Sequence, residues 1–112
     1  MAETLTNATV QLSTTSTTTL YQAPNNAATD RAIVLSCLVA NAQGILVSDI
    51  TLALTDANDT VLSYLAFTIV VPADASVELI ANKVVLKRGQ KLRATASAAG
   101  ILHATVSALE IA

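Results

Sequence analysis

No window of this chain sustains the three-and-four spacing of apolar residues that marks a helix. They alternate in short runs, and turn-forming residues cut the runs at intervals of roughly 8–12 residues, the pattern of a sandwich or barrel. Residues 77–111 show it best. Val84, Val85 and Leu86 lead into a charged turn, Lys87-Arg88-Gly89-Gln90. The run 91–97 leads into a small-residue turn, Ala98-Ala99-Gly100, and a last run, 101–111, follows. The Ala-rich stretch 94–104 raises helix propensity, but Thr95, Gly100 and the alternation Leu92, Ala94, Ala96 favour extended backbone.

Upstream, residues 1–12 alternate weakly through Leu5, Ala8, Val10 and Leu12. They read as an N-terminal arm or a first strand, ahead of a sandwich domain at 13–112. A Ser/Thr turn at 13–16 precedes a strand at 17–22, because β-branched Thr favours extended backbone. Ala23-Pro24-Asn25-Asn26 is a turn, and 25–30 is a polar loop. Arg31–Asn41 is the strongest early strand. Ile33, Leu35, Cys37 and Val39 share one face and Val34, Ser36, Leu38 and Ala40 the other, so a central position is expected. Ala42-Gln43-Gly44 turns into a strand at 45–54, and Asp56-Ala57-Asn58-Asp59 turns into Val61–Val71, with Val61, Ser63, Leu65, Phe67 and Ile69 on one face. A short strand at 76–80 is broken at 81–83. The expectation is one antiparallel β-sandwich, jelly-roll or immunoglobulin-like, of seven or eight strands.

The chain has 112 residues, the size of one domain. Hydrophobic residues make up 53% and aromatic residues 3%, so Leu, Val, Ile and Ala must build the core. Charged residues are 12%, about half of the ~25% usual in soluble domains. So few charges leave little to decorate a whole monomer surface: either part of the outside is covered by copies of the chain or by another protein, or a neutral surface rich in Thr and Ser is solvated as it stands. Long strands that are apolar on both faces favour the first, since an open edge invites pairing. The single cysteine, Cys37, cannot form an internal disulfide and reads as a buried thiol made in a reducing cytoplasm. No run reaches the ~18 apolar residues of a membrane span, and the start shows no secretory signal. Neither membrane nor nucleic acid is an expected partner at a net charge of −2.

No constellation for catalysis is visible. There is no phosphate-binding Gly loop, no G-x-S-x-G and no H-E-x-x-H, and His103 is the only histidine. The expectation is a protein that is not an enzyme, with no cofactor and no metal. Asp49, Asp56, Asn58 and Asp59 do not follow the order of a tight calcium loop and read as turn formers. Five of the six basic residues, Lys83, Lys87, Arg88, Lys91 and Arg93, fall within eleven positions. Without interleaved aromatics for base stacking, they suit either an acidic protein surface or plain solvation of a hairpin. Lys87, Arg88, Lys91 and Arg93 are therefore interface candidates. Asp56 and Asp59 are candidates for the acidic counterpart on a neighbouring copy.

Several segments carry a resemblance: Leu20-Tyr21-Gln22-Ala23-Pro24 ahead of Arg31–Asn41, then Val71-Pro72-Ala73-Asp74-Ala75-Ser76, Leu79-Ile80-Ala81-Asn82-Lys83, the run 84–89, Thr95-Ala96-Ser97-Ala98-Ala99-Gly100 and the terminal Ser107-Ala108-Leu109-Glu110-Ile111. Together they resemble small all-β virion structural proteins of tailed bacteriophages over nearly the whole chain. The resemblance implies a multicopy component of the virion, first of all a capsid decoration (cement) protein. Such a protein would form a homotrimer, bind the major capsid protein of the outer shell or another virion protein, and stabilise the particle. A neck, head-fibre or tail component is the nearest alternative, and a host-surface carbohydrate-binding module the next. Many relatives are expected to carry an acidic residue after the Gly of the charged turn; here it is Gln90.

Overall fold

The computed structural model describes residues 3–24, 31–80 and 82–111. The polar loop expected at 25–30 and the first residue of the 81–83 break lie outside them. Among the described residues nine strands run in chain order: β1 (Glu3–Gln11), β2 (Thr18–Gln22), β3 (Arg31–Asn41), β4 (Ser48–Thr55), β5 (Val61–Val71), β6 (Ser76–Glu78), β7 (Val84–Lys87), β8 (Lys91–Ala96) and β9 (Leu102–Ile111). All pairings are antiparallel. Gly89 (φ 77°) and Gly100 (φ 74°) take up left-handed backbone in the two turns where the sequence places glycine.

One sheet runs β1-β9-β3, and β6 and β7 both lie along the far edge of β3; the second runs β2-β8-β4-β5. β6 and β7 are two pieces of one broken strand. Leu38 faces Glu78 and Val34 faces Val84, so six steps on one side match four on the other. The Glu78 carboxylate fills the gap in the ladder, accepting from the backbone N–H of Cys37 (2.8 Å) and of Ile80 (3.3 Å). Leu79 N–H donates to the Cys37 carbonyl at 2.9 Å.

With β6 and β7 taken as one strand, the pairing is that of a single long hairpin. Glu3 faces Ile111, Thr18 faces Ala94, Leu38 faces Glu78 and Thr55 faces Val61, all placed almost symmetrically about the turn at 56–60. Rolling this hairpin on itself adds the β3–β9 and β4–β8 ladders. Of the two expected sandwiches this is the jelly roll; an immunoglobulin-like order would set four strands against three.

The core lies between the sheets. Leu92, Ala94 and Ala96 point into it from β8, and Leu102, Ala104, Val106 and Ala108 from β9, with strict alternation. On β3 the alternation changes phase. Ala32 and Val34 are buried, then Cys37 and Val39, because the β3–β9 register slips between Val34 and Ser36. Leu35 is the extra residue, 37% exposed, and the faces read from strict alternation therefore fail along this strand. The expected strand at 45–54 also starts later, at Ser48. Both amide protons of the buried Asn41 are taken by the carbonyls of Leu46 (2.9 Å) and Val71 (3.0 Å), and its oxygen accepts from Gln43 N–H (2.9 Å). That side chain holds 42–47 as a loop.

Tyr21, the buried aromatic, donates its hydroxyl to Glu110, linking the two sheets. Burial, then the hydrogen bond and the charge of Glu110, hold its phenol well above the ordinary range. Burial, then the Glu78 charge, pushes the Cys37 thiol up to about 12.

Truncating Leu52, fully buried mid-sandwich, to Ala is expected to cost about 2–5 kcal/mol. Leu5→Ala, on the open side of β1, should cost less than about 0.5 kcal/mol. Urea unfolding followed by circular dichroism measures both, and equal losses would contradict this core. Because the folded thiol and phenol titrate above their unfolded values, the stability they contribute is complete at neutral pH. It is lost as pH rises from the ordinary thiol range toward 12. Cys37→Ala should lessen that alkaline decline. Native protein at pH 8 should leave a thiol reagent unreacted until denaturant is added; rapid labelling without denaturant would refute the assignment.

Candidate interaction surfaces

The basic stretch is not a hairpin. β7 pairs with β3 in one sheet and β8 with β2 and β4 in the other, so Lys87-Arg88-Gly89-Gln90 carries the chain across the sandwich. Turn chemistry is the same in both cases: Gln90 N–H donates to the Lys87 carbonyl at 3.0 Å, and the Gln90 side-chain oxygen accepts from Lys87 N–H at 2.9 Å. The crossing divides the basic residues into two groups.

Lys91 and Arg93 stand on the outer face of β8, where they meet Asp59 of the β4–β5 turn within the same chain. Lys91 Nζ lies 2.7 Å from Asp59 Oδ1, and Arg93 Nη1 lies 3.7 Å from Oδ2. Arg93 also donates to Thr19 Oγ1 (3.1 Å) and to the Thr17 carbonyl (3.3 Å). The Lys91 hydrogen bond holds the Asp59 carboxyl below its usual range; desolvation opposes it, and the charges of Arg93 and Lys91 add to the lowering. Asp59 adopts φ 68°, a backbone conformation that Asp tolerates. Asp56 serves its own turn, accepting from the N–H groups of Asn58 (2.8 Å) and Thr60 (3.0 Å) on one oxygen. Lys87 and Arg88 are exposed at the crossing turn, and Lys83 is exposed beside the broken strand. His103 lies on the open face of β9 opposite Gln11. Among the described residues no three metal-ligating side chains come together.

The largest feature is one that sequence reasoning did not single out as a site. β5, the edge of its sheet, is exposed along most of its length on both faces. Val61, Leu62, Tyr64, Phe67, Ile69 and Val70 are 39–61% exposed. The loop before β4 continues the strip with Ile45 (85%), Leu46 and Val47, and Asn41 ties it to the end of β5. The even face expected for β5 is absent. Its register against β4 slips three times, and at the slip beyond Ala66 the residue Thr68 sits at φ 50° with its N–H on Thr51 Oγ1 (3.0 Å). The bulges turn Tyr64 and Phe67 toward each other, edge to face, with ring centroids 5.1 Å apart. Both rings line a shallow hollow of about 220 Å³ with Thr17, Thr51, Ala53 and Arg93. The one signal in the sequence was the absence of charge across Val61–Val71.

No protein-family model matches the sequence, and no curated protein does. Solved structures do match. The chain is similar to one from the disulfide-linked pili of Bacillus endospore appendages, with 13% identity and a TM-score of 0.57 over 97% of this chain and 85% of that one. It is also similar to VP2 of infectious bursal disease virus in T=1 particles, with 16% identity and a TM-score of 0.54 over 96% of this chain and 31% of that one. The Gx strain of that virus gives 16% identity and a TM-score of 0.52, over 96% and 32%. The chain thus spans about a third of the length of the bursal disease virus chains. At these identities the likeness is one of fold: this all-β sandwich is an architecture found in chains that build virus particles and pili.

Proposed function

We propose that this chain is a non-enzymatic structural protein of a virus particle, and specifically a capsid decoration (cement) protein of a tailed bacteriophage. The observation that carries the reading is the imbalance of the surface. Lys91 and Arg93 on the open face of the second sheet are paired with Asp59 within the chain, while large apolar side chains stand outside on an uncharged edge. Monomers seldom leave so much apolar surface open, so the chain is built to be covered. The fold it shares with particle-forming and pilus chains supports an assembly role. The linkage named for the appendage pili does not carry over, because Cys37 is the single cysteine and is fully buried.

In this reading the protein forms a homotrimer, made in the host cytoplasm and located in the virion. It sits on the outer shell where it bridges major capsid protein subunits. Each contact can be weak, because many identical sites sum. Lys87 and Arg88 are the residues proposed to meet an acidic shell surface; Lys91, Arg93, Asp56 and Asp59 shape the neighbouring face. A neck, head-fibre or tail position uses the same physics. A second reading, recognition of a host-surface carbohydrate, draws on the Tyr64–Phe67 pair over its hollow, since exposed rings give amphipathic stacking area. Binding on a glycan array that Tyr64→Ala abolishes would select it.

Light scattering across a dilution series should give three times the 11.5 kDa chain mass. The Lys87→Ser, Arg88→Ser double variant should keep that mass while binding purified shells more weakly and with less salt dependence. Unchanged shell occupancy would remove these two residues from the contact.

A further inference from the structure

We propose that copies of this chain meet through the β5 edge and the 45–47 loop, by side-chain packing and not by strand addition. The proposal rests on the self-assembly reading above and says where that assembly is held. Nine large apolar side chains form the strip: Ile45, Leu46 and Val47 on the loop, and six along β5. At about half exposure, and with ~150–250 Å² on an aromatic residue and somewhat less on an aliphatic one, they present on the order of 700 Å². The largest patch on an ordinary monomer is ~300–600 Å², whereas a standard interface takes ~800 Å² from each partner. One strip therefore supplies, over its two faces together, about the area that a protomer buries in a standard contact.

The composition of the strip selects a second copy as its occupant. From Thr60 to Ala73 the chain carries no charge, so two identical strips approach without repulsion. At its border Lys91 and Arg93 are already joined to Asp59, so a second strip can approach that end without meeting an unpaired cation. Tyr64, Phe67 and Arg93 at the hollow are residue types enriched at the centres of protein contacts. Both faces of β5 are open, so a flat ligand or a small sugar would cover only one. In the proposed trimer, three strips face one another along the axis and cover both.

The mode of contact follows from the backbone. The slips at Ile50/Leu52, Leu52/Ala53 and Leu54/Thr55 set β5 residues out of even spacing, and Thr68 turns its N–H inward to Thr51. A strand added outside β5 would find donors and acceptors out of step with its own. Strand addition would be easier on β1, which pairs with β9 without a slip. Its open face, however, carries Asn7, Thr9 and Gln11 beside Leu5, and water already solvates that face.

The test is the mass of Phe67→Glu, Ile45→Asp and Leu5→Glu variants by light scattering at matched concentrations, with far-UV circular dichroism to verify the fold. Phe67→Glu and Ile45→Asp should each weaken association by about 30-fold or more, the loss expected of a contact worth ~2 kcal/mol. Leu5→Glu should leave the mass unchanged. If Phe67→Glu does not fold, Ile45→Asp decides alone, because Ile45 lies in a loop at 85% exposure. Wild-type mass in the two strip variants, or dissociation by Leu5→Glu, overturns this interface and leaves self-assembly standing. A wild-type chain that is monomeric at every concentration overturns both.

Discussion

The turn at 56–60 is the constraint on which every ladder depends. Because the strands pair almost symmetrically about it, the chain is one hairpin whose arms wind into two sheets. Asp56 closes the turn with two hydrogen bonds to one carboxylate oxygen, and Asp59 then reaches back to Lys91 and Arg93 on β8. β8 is the strand that must lie beside β4 once the hairpin rolls. The ion pairs are exposed and contribute little by energy, but they join the hinge of the hairpin to the arm that folds over it. The outermost pairing, Glu3 with Ile111, joins residues at the two ends of the chain. Such non-local pairings meet their loop-closure cost before they return stability, so a turn with its own side-chain bonds is where the order can begin.

Much of this was legible in the sequence, for local reasons. Arg31–Asn41 occupies its expected range, Gly89 and Gly100 mark turns, and the interruption before Val84 separates β6 from β7. Each of these rests on backbone chemistry that a few neighbouring residues decide. Period-two reasoning failed at the slips. One extra residue at Leu35 exchanges the faces of β3, and three along β5 abolish its faces altogether. Nothing in the order of Val, Leu and Ile distinguishes a bulged strand from a regular one. The crossing at 87–90 was illegible for a related reason. Gly89 and Gln90 close the turn with the same bonds whether the chain reverses within a sheet or passes to the other sheet.

The candidate surfaces divide in the same way. The sequence drew attention to the cluster of basic residues, but two of them find their partner, Asp59, four residues after β4, inside the same chain. Charge proximity in sequence did not reveal that Asp59 and Lys91, 32 positions apart, would be neighbours. The apolar strip was hidden because hydrophobic residues in a strand are expected to point at a core. On β5 they stand outside it because this strand is the last of its sheet and is little covered by the other.

An open β-sheet edge can associate in two ways, through its free ladder groups or through its side chains, and this chain separates the two. β1 keeps a regular ladder but turns polar groups outward; β5 turns apolar groups outward but breaks its ladder three times. The remaining edges are a strand of five residues, β2, and a strand broken in the middle, β6 with β7, its gap closed by Glu78. Among the described strands no edge of this length therefore combines apolar side chains with an even row of donors and acceptors, the combination that drives open-ended stacking. Side-chain packing depends on shape and orientation, so it can close on a fixed number of copies. In a chain with so little charge, that division between ladder and side chains limits how the apolar surface can be used.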